Sequence, residues 1–129
     1  PATPMGTLAA PLGPGEEALP SVVKVVVDAN GLALYFSRAA IPFQRDSGPP
    51  PPRLRHVGVY AFRRSFLADF AAAPESPLER AEVLEQLRAL EAGARIRVVR
   101  WAATPPGIDT RGDYEAFVRR RRERSGWVG

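Results

Sequence analysis

The sequence predicts an α/β fold. Short β-branched and aromatic runs alternate along the chain with amphipathic helical stretches, the pattern of helices packed against a sheet. A turn pair, Asn30-Gly31, joins two of the runs, and Ser76-Pro77-Leu78-Glu79 has the form of a helix-opening capping box. At 129 residues, 45% of them hydrophobic, the chain has the length of one domain and enough apolar surface for a core.

Met5 to Ala10 reads as a first strand. Val22 to Val27 and Leu32 to Phe36 flank Asn30-Gly31, so they predict a hairpin closed by a two-residue turn with positive φ angles. Ser37-Arg38 then leaves the apolar run, and Pro42 is barred from any central sheet position. Residues 44–53, with four consecutive prolines, predict an exposed, stiff connector. Val57 to Phe62 predicts a short strand and Arg64 to Ala71 a helix whose Phe66, Leu67 and Phe70 share a face. The capping box, with Pro77 at the first helical position, predicts one helix from Pro77 to Ala92 that stops at Gly93. Arg95 to Trp101 alternates as a strand, and Thr104-Pro105-Pro106-Gly107 forces a loop. A last helix begins near Arg111, with Thr110 as cap and Asp113 closing a second box.

Composition excludes several functions. No run of about 18 apolar residues offers a membrane span, and residues 1–20 carry no Lys or Arg to begin a signal peptide. The absence of cysteine excludes disulfides and thiol catalysis, and fits a cytoplasmic protein. With one histidine and no cysteine, a zinc site of the common kind is also excluded. The net charge of +4 suggests nucleic acid until it is located. Arg119, Arg120, Arg121, Arg122 and Arg124 against Glu123 account for all of it, and the rest of the chain sums to zero. Such a basic tail over residues 119–129, without interleaved aromatics, reads as a solvated helix end and not as a nucleic-acid stripe.

Four blocks in order carry a resemblance. They are V-K-V-V-x-D-x-x-G-x-A-L-Y-F-S-R-x-x-I-P with a following R-D pair, then R-H-x-G-x-Y at Arg55 to Tyr60, L-E-Q-L-R at Leu84 to Arg88, and G-I-D-T at Gly107 to Thr110. Together, over roughly residues 6–118, they resemble the 3-deoxy-manno-octulosonate (Kdo) cytidylyltransferases, also called CMP-Kdo synthetases. That family's opening phosphate loop and its Q-G-D-E-P segment have no counterpart in the chain. The resemblance is therefore to the C-terminal half of such an enzyme, the sugar-acid-binding and dimer-forming side. It implies part of a Rossmann-like nucleotidyltransferase fold with a mixed sheet, CTP and Kdo as substrates, CMP transfer with loss of pyrophosphate for lipopolysaccharide assembly, Mg²⁺ as cofactor, and a homodimer.

The resemblance also assigns residues. Kdo carries a carboxylate and many hydroxyls, so its pocket needs a forked guanidinium and mixed donors and acceptors. Arg38 and Arg45, at strand-to-loop junctions, are expected to take the carboxylate. His56 and Tyr60 match the family's sugar-binding pair, and Glu85 and Gln86 its hydroxyl ligands. Neighbouring helix positions differ by about 100°, so both of the latter can border the apolar stripe. Glu79 needs no role beyond capping. Asp109 is the expected catalytic metal ligand, binding Mg²⁺ with the Asp of Q-G-D-E-P, which this chain lacks. The family's T-P-E-D is T-R-G-D here, and Arg111 in place of Pro places a positive charge near that site. Two other readings of the same residues are a cytidylyltransferase for another sugar acid and a non-catalytic oligomerisation or binding module. Half a sheet exposes strand edges, so the isolated chain is expected to associate or to be marginally stable.

Overall fold

A computed structural model describes residues 3–102, 108 and 110–125. Five strands form one sheet: β1 (Met5–Pro11), β2 (Lys24–Val27), β3 (Ala33–Ser37), β4 (Leu54–Phe62) and β5 (Ile96–Arg100). Their order is β3-β2-β4-β1-β5. β1 pairs antiparallel with β4 and parallel with β5, so the sheet is mixed, as an α/β fold with a helical crossover before β5 requires. The helices are α1 (Arg64–Ala72), α2 (Pro77–Glu82), α3 (Gln86–Glu91) and α4 (Arg111–Ser125). A single 3-10 turn at Glu16–Ala18, not anticipated from the sequence, follows β1.

One face of the sheet holds the core. Alternation in β1 turns Met5, Thr7 and Ala9 inward. They meet Val25, Phe36, Leu54, Ile96 and Val98 from the sheet and Leu84, Leu87 and Ala89 from the region of α3. The aromatic side chains of Phe62, Phe66 and Phe70 stack at 5.6 to 6.4 Å, so the face expected for α1 docks through Phe66 and Phe70. The opposite face is open: Val59 and Val99 are exposed where β4 and β5 flank β1.

Two local expectations change in detail. The hairpin is not closed by a two-residue turn. Asp28 N bonds Leu32 O, and of the intervening residues only Gly31 has positive φ, at 77°, giving a three-residue loop with glycine in the left-handed position. Asp28 selects this loop, since its Oδ1 accepts from both Asn30 N and Leu32 N. β4 begins at Leu54, three residues before the expected strand, because Leu54 and Arg55 pair with both β1 and β2.

The largest correction concerns the helix expected from Pro77 to Ala92. It is two helices, broken where Val83 adopts φ 54°, ψ 51°. The periodicity that suggests one helix is real, but tertiary contacts override it. Glu79 also exceeds its capping role. Besides accepting from Ser76 N, its carboxylate takes Arg88 Nη2 and Nε at 2.6 and 2.7 Å, a fork that ties α2 to α3. Thr110 and Asp113 form the box expected at α4, with bonds of 2.9 and 3.1 Å.

Candidate functional site

A cavity of about 400 Å³ lies between the sheet, α1 and α3, lined by Met5, Tyr60, Phe62, Leu67, Phe70, Ala71, Glu85, Gln86 and Arg88. Its wall is aromatic and aliphatic, with polar groups from Tyr60, Glu85, Gln86 and Arg88. Gln86 is the decisive one. It is only 3% exposed, and its Nε2 is buried without a hydrogen-bond partner. A buried amide left unsatisfied costs free energy and asks for an acceptor that the fold does not supply. Glu85, one residue earlier, is exposed and lines the same cavity. Arg88 brings no free charge, being bonded to Glu79 and to the carbonyls of Phe70 and Ala73.

His56 and Tyr60 adjoin each other on β4, ring centroids 5.5 Å apart. His56 Nε2 lies 2.9 Å from Thr7 Oγ1. The Thr7 hydroxyl has one proton, which goes to Val59 O at 2.9 Å or Val57 O at 3.2 Å. Thr7 therefore accepts from His56, which assigns the Nε2–H tautomer and leaves Nδ1 with a lone pair. Burial lowers the His56 pKa to about 4, so the ring is neutral at pH 7. Burial, helped by the charge of Glu85, pushes the Tyr60 hydroxyl up to about 12, which keeps its proton available as a donor. Tyr60, Gln86 and Glu85 thus offer donors and acceptors in one cavity, with the neutral His56 ring beside Tyr60.

A profile describing the family Cytidylyltransferase matches residues 1–96. This chain belongs to that family. It is 49% identical to the 3-deoxy-manno-octulosonate cytidylyltransferase of Chlorobaculum tepidum, over 93% of this chain and 50% of that protein. It is 53% identical to that of Syntrophotalea carbinolica, over 92% of this chain and 52% of the relative. The solved structure of CMP:2-keto-3-deoxy-manno-octonic acid synthetase complexed with CTP matches with a TM-score of 0.89 at 44% identity, covering 96% of this chain and 51% of that one. The cytidylyltransferase chain therefore spans about half the length of the relatives it matches.

Within this cytidylyltransferase chain the expected site residues separate into groups. Tyr60, Glu85 and Gln86 share the cavity, and His56 adjoins it through Tyr60. Arg38 follows the last residue of β3, and its Nε donates to Glu82 O at 2.7 Å, Nη1 to Pro20 O at 3.0 Å and Nη2 to Val83 O at 3.2 Å. Its fork grips backbone at the end of α2. Arg45 stands in the proline-rich loop beside Asp46, with its side chain 89% exposed. Neither arginine lines the cavity. Asp109 lies outside the described residues.

Sequence reasoning missed Thr7, Lys24 and Glu82. Lys24, the chain's single lysine, is fully buried and donates to Leu19 O and Arg38 O, each at 2.7 Å. Burial lowers its pKa. A lone cation between valines of a strand was the available signal. Glu82 carried none, because its partners, Ser37 and Arg38, are more than forty residues away in the chain.

Proposed function

We propose that the chain is the sugar-acid-binding half of a cytidylyltransferase that transfers CMP from CTP to Kdo with release of pyrophosphate. The single observation that carries this reading is the buried, unpartnered amide of Gln86 beside Tyr60 and Glu85 in a 400 Å³ cavity. The names of the relatives and the CTP-bound neighbour support the same chemistry.

The residues of the cavity would act by positioning. Gln86 Nε2 and the Tyr60 hydroxyl donate to sugar hydroxyls, Glu85 accepts, and neutral His56 presents Nδ1. Arg38 and Arg45 are proposed for the carboxylate. Held in this way, the 2-hydroxyl of Kdo attacks the α-phosphorus of CTP in line, forming the new P–O bond as the bond to pyrophosphate breaks. Magnesium belongs to the proposal through Asp109. Asp109 lies outside the described residues, so no step is assigned to the ion. Homodimer formation and a cytoplasmic location complete the proposal. The open face with Val59 and Val99 supports the former, and among the described residues no helix is long and apolar enough to cross a membrane.

Titrating the 129-residue chain with Kdo tests the reading by NMR. Gln44 and Gln86 are its two glutamines, so their side-chain amides are readily assigned. Saturable movement of the Gln86 amide, with Gln44 unmoved, is expected, and Gln86→Leu should weaken binding about tenfold or more. A Gln86 signal indifferent to Kdo would refute the sugar-acid reading.

A further inference from the structure

The bend beside the cavity is held by a carboxylate with no assigned role. Glu82 Oε1 accepts from Ser37 Oγ at 2.6 Å, and Oε2 accepts from Arg38 N at 2.9 Å. Arg38 answers with bonds from Nε to Glu82 O and from Nη2 to Val83 O. Side chain meets backbone in both directions. Between these bonds stands Val83 at φ 54°, the one non-glycine residue with positive φ among the described residues. A β-branched residue is strained in that region. Val83 is 75% exposed, so packing does not hold it there. The hydrogen bonds on either side do.

The bend has a consequence for the cavity. In an uninterrupted helix Glu82 and Gln86, four residues apart, would lie one turn apart on the same face. Here the break between them lets Glu82 face Ser37 and Arg38 while Gln86, 3% exposed, faces the cavity with Tyr60 and Phe70. Without the left-handed residue, an unbroken helix that kept Glu82 on Ser37 and Arg38 would carry Gln86 to that same face and away from the cavity wall. The same contacts fix Arg38, whose peptide N–H is held by Glu82 and whose carbonyl is held by Lys24 Nζ.

We infer that Glu82 is a positioning residue for the sugar-acid cavity: by clasping Ser37 and Arg38 it holds the left-handed turn at Val83 that sets Gln86 into the cavity wall. This role rests on the Kdo reading of that cavity. It requires hydrogen-bond acceptance and not contact with substrate. Glutamine at the position can still accept from Arg38 N and donate to Ser37 Oγ, whereas alanine can do neither.

The test is Kdo titration of the 129-residue chain, read at the Gln86 side-chain amide. Glu82→Ala should weaken binding about tenfold or more, while Glu82→Gln stays within about threefold of the parent. Val83→Gly, which makes the left-handed turn free of strain, should restore most of the loss when added to Glu82→Ala. A residue that touches the sugar would not be rescued in this way. Ser37→Ala, which removes one of the two clasp bonds, should give an intermediate loss and serves if Glu82→Ala does not fold. Parent-level affinity in Glu82→Ala or in Ser37→Ala, or no rescue by Val83→Gly, overturns the inference. If the parent chain ignores Kdo, the functional reading fails separately. The clasp is then decided without ligand: the Gln86 amide resonance must move in Glu82→Ala, or in Ser37→Ala where Glu82→Ala does not fold, with Gln44 unmoved, and its staying in place overturns the inference.

Discussion

His56 shows how one residue's surroundings fix its chemistry. Its folded pKa of about 4 lies below the ordinary 6.5, so as pH falls the unfolded chain takes up the proton first. Stability is therefore lost between about pH 6.5 and 4, by as much as about 3 kcal/mol from this group alone. As the chain has one histidine, the upper part of that window reports on it alone. The ring resonances of His56 should stay unprotonated from pH 7 down to about 5, and a midpoint near the ordinary value would show the burial to be wrong. His56→Gln, which keeps a donor for Thr7, should flatten the decline in urea stability over that range. The arginines are separable by the same logic. Arg38→Ala loses three backbone bonds and should lower the melting temperature, while Arg45→Ala, in an exposed loop, should leave it unchanged. In a full-length protein containing this half, each should raise the Kdo requirement by the worth of a charge-assisted bond, roughly 1.5 to 3 kcal/mol. Unchanged Kdo saturation in both would remove them from the site.

At the scale of elements, what was legible in the sequence was local. Pro77 and Glu79 announced the start of α2, Gly31 the hairpin, and Thr110 with Asp113 the start of α4, because each needs only neighbours within a few residues. The break at Val83 was illegible because the groups that impose it, Ser37 and Arg38, lie on another element. The four site residues on β4 and at α3 were reached through motif resemblance. Their convergence, and the tautomer of His56, depend on Thr7 and on the packing of α3. The fork from Arg88 to Glu79 gives an element-scale prediction. Arg88 lowers the Glu79 pKa, chiefly by direct hydrogen bonds, and joins α2 to α3 and to the end of α1. This contribution is present above the unfolded Glu pKa and is lost as pH falls through the depressed folded value. Arg88→Met should therefore lower urea stability far more than Arg80→Met, whose partner Glu75 is exposed. Equal effects would mean that the buried fork does not hold the two helices together.

The whole molecule is half of something larger in its relatives. The chain covers 50 to 52% of the lengths it matches while reproducing one of those folds at a TM-score of 0.89. Its apolar surface is unevenly covered: one sheet face is packed by α1 and α3, and the other exposes Val59 at 57% and Val99 at 49%. Three of the groups proposed for the sugar, Tyr60, Glu85 and Gln86, share one cavity within the chain, whereas the phosphate loop expected of a cytidylyltransferase is not in its sequence. Function should thus be separable into a Kdo-binding part carried here and a CTP-activating part supplied from outside it. The direct measurement joins the chain to the remaining half of the Chlorobaculum tepidum relative and assays pyrophosphate release from CTP, beside the unfused 129-residue chain. The folded chimera is predicted to release pyrophosphate only when Kdo is present and to form CMP-Kdo, while the chain alone forms none. CMP-Kdo synthesis by the unfused chain, or a folded, CTP-binding chimera whose pyrophosphate release does not depend on Kdo, would contradict the account.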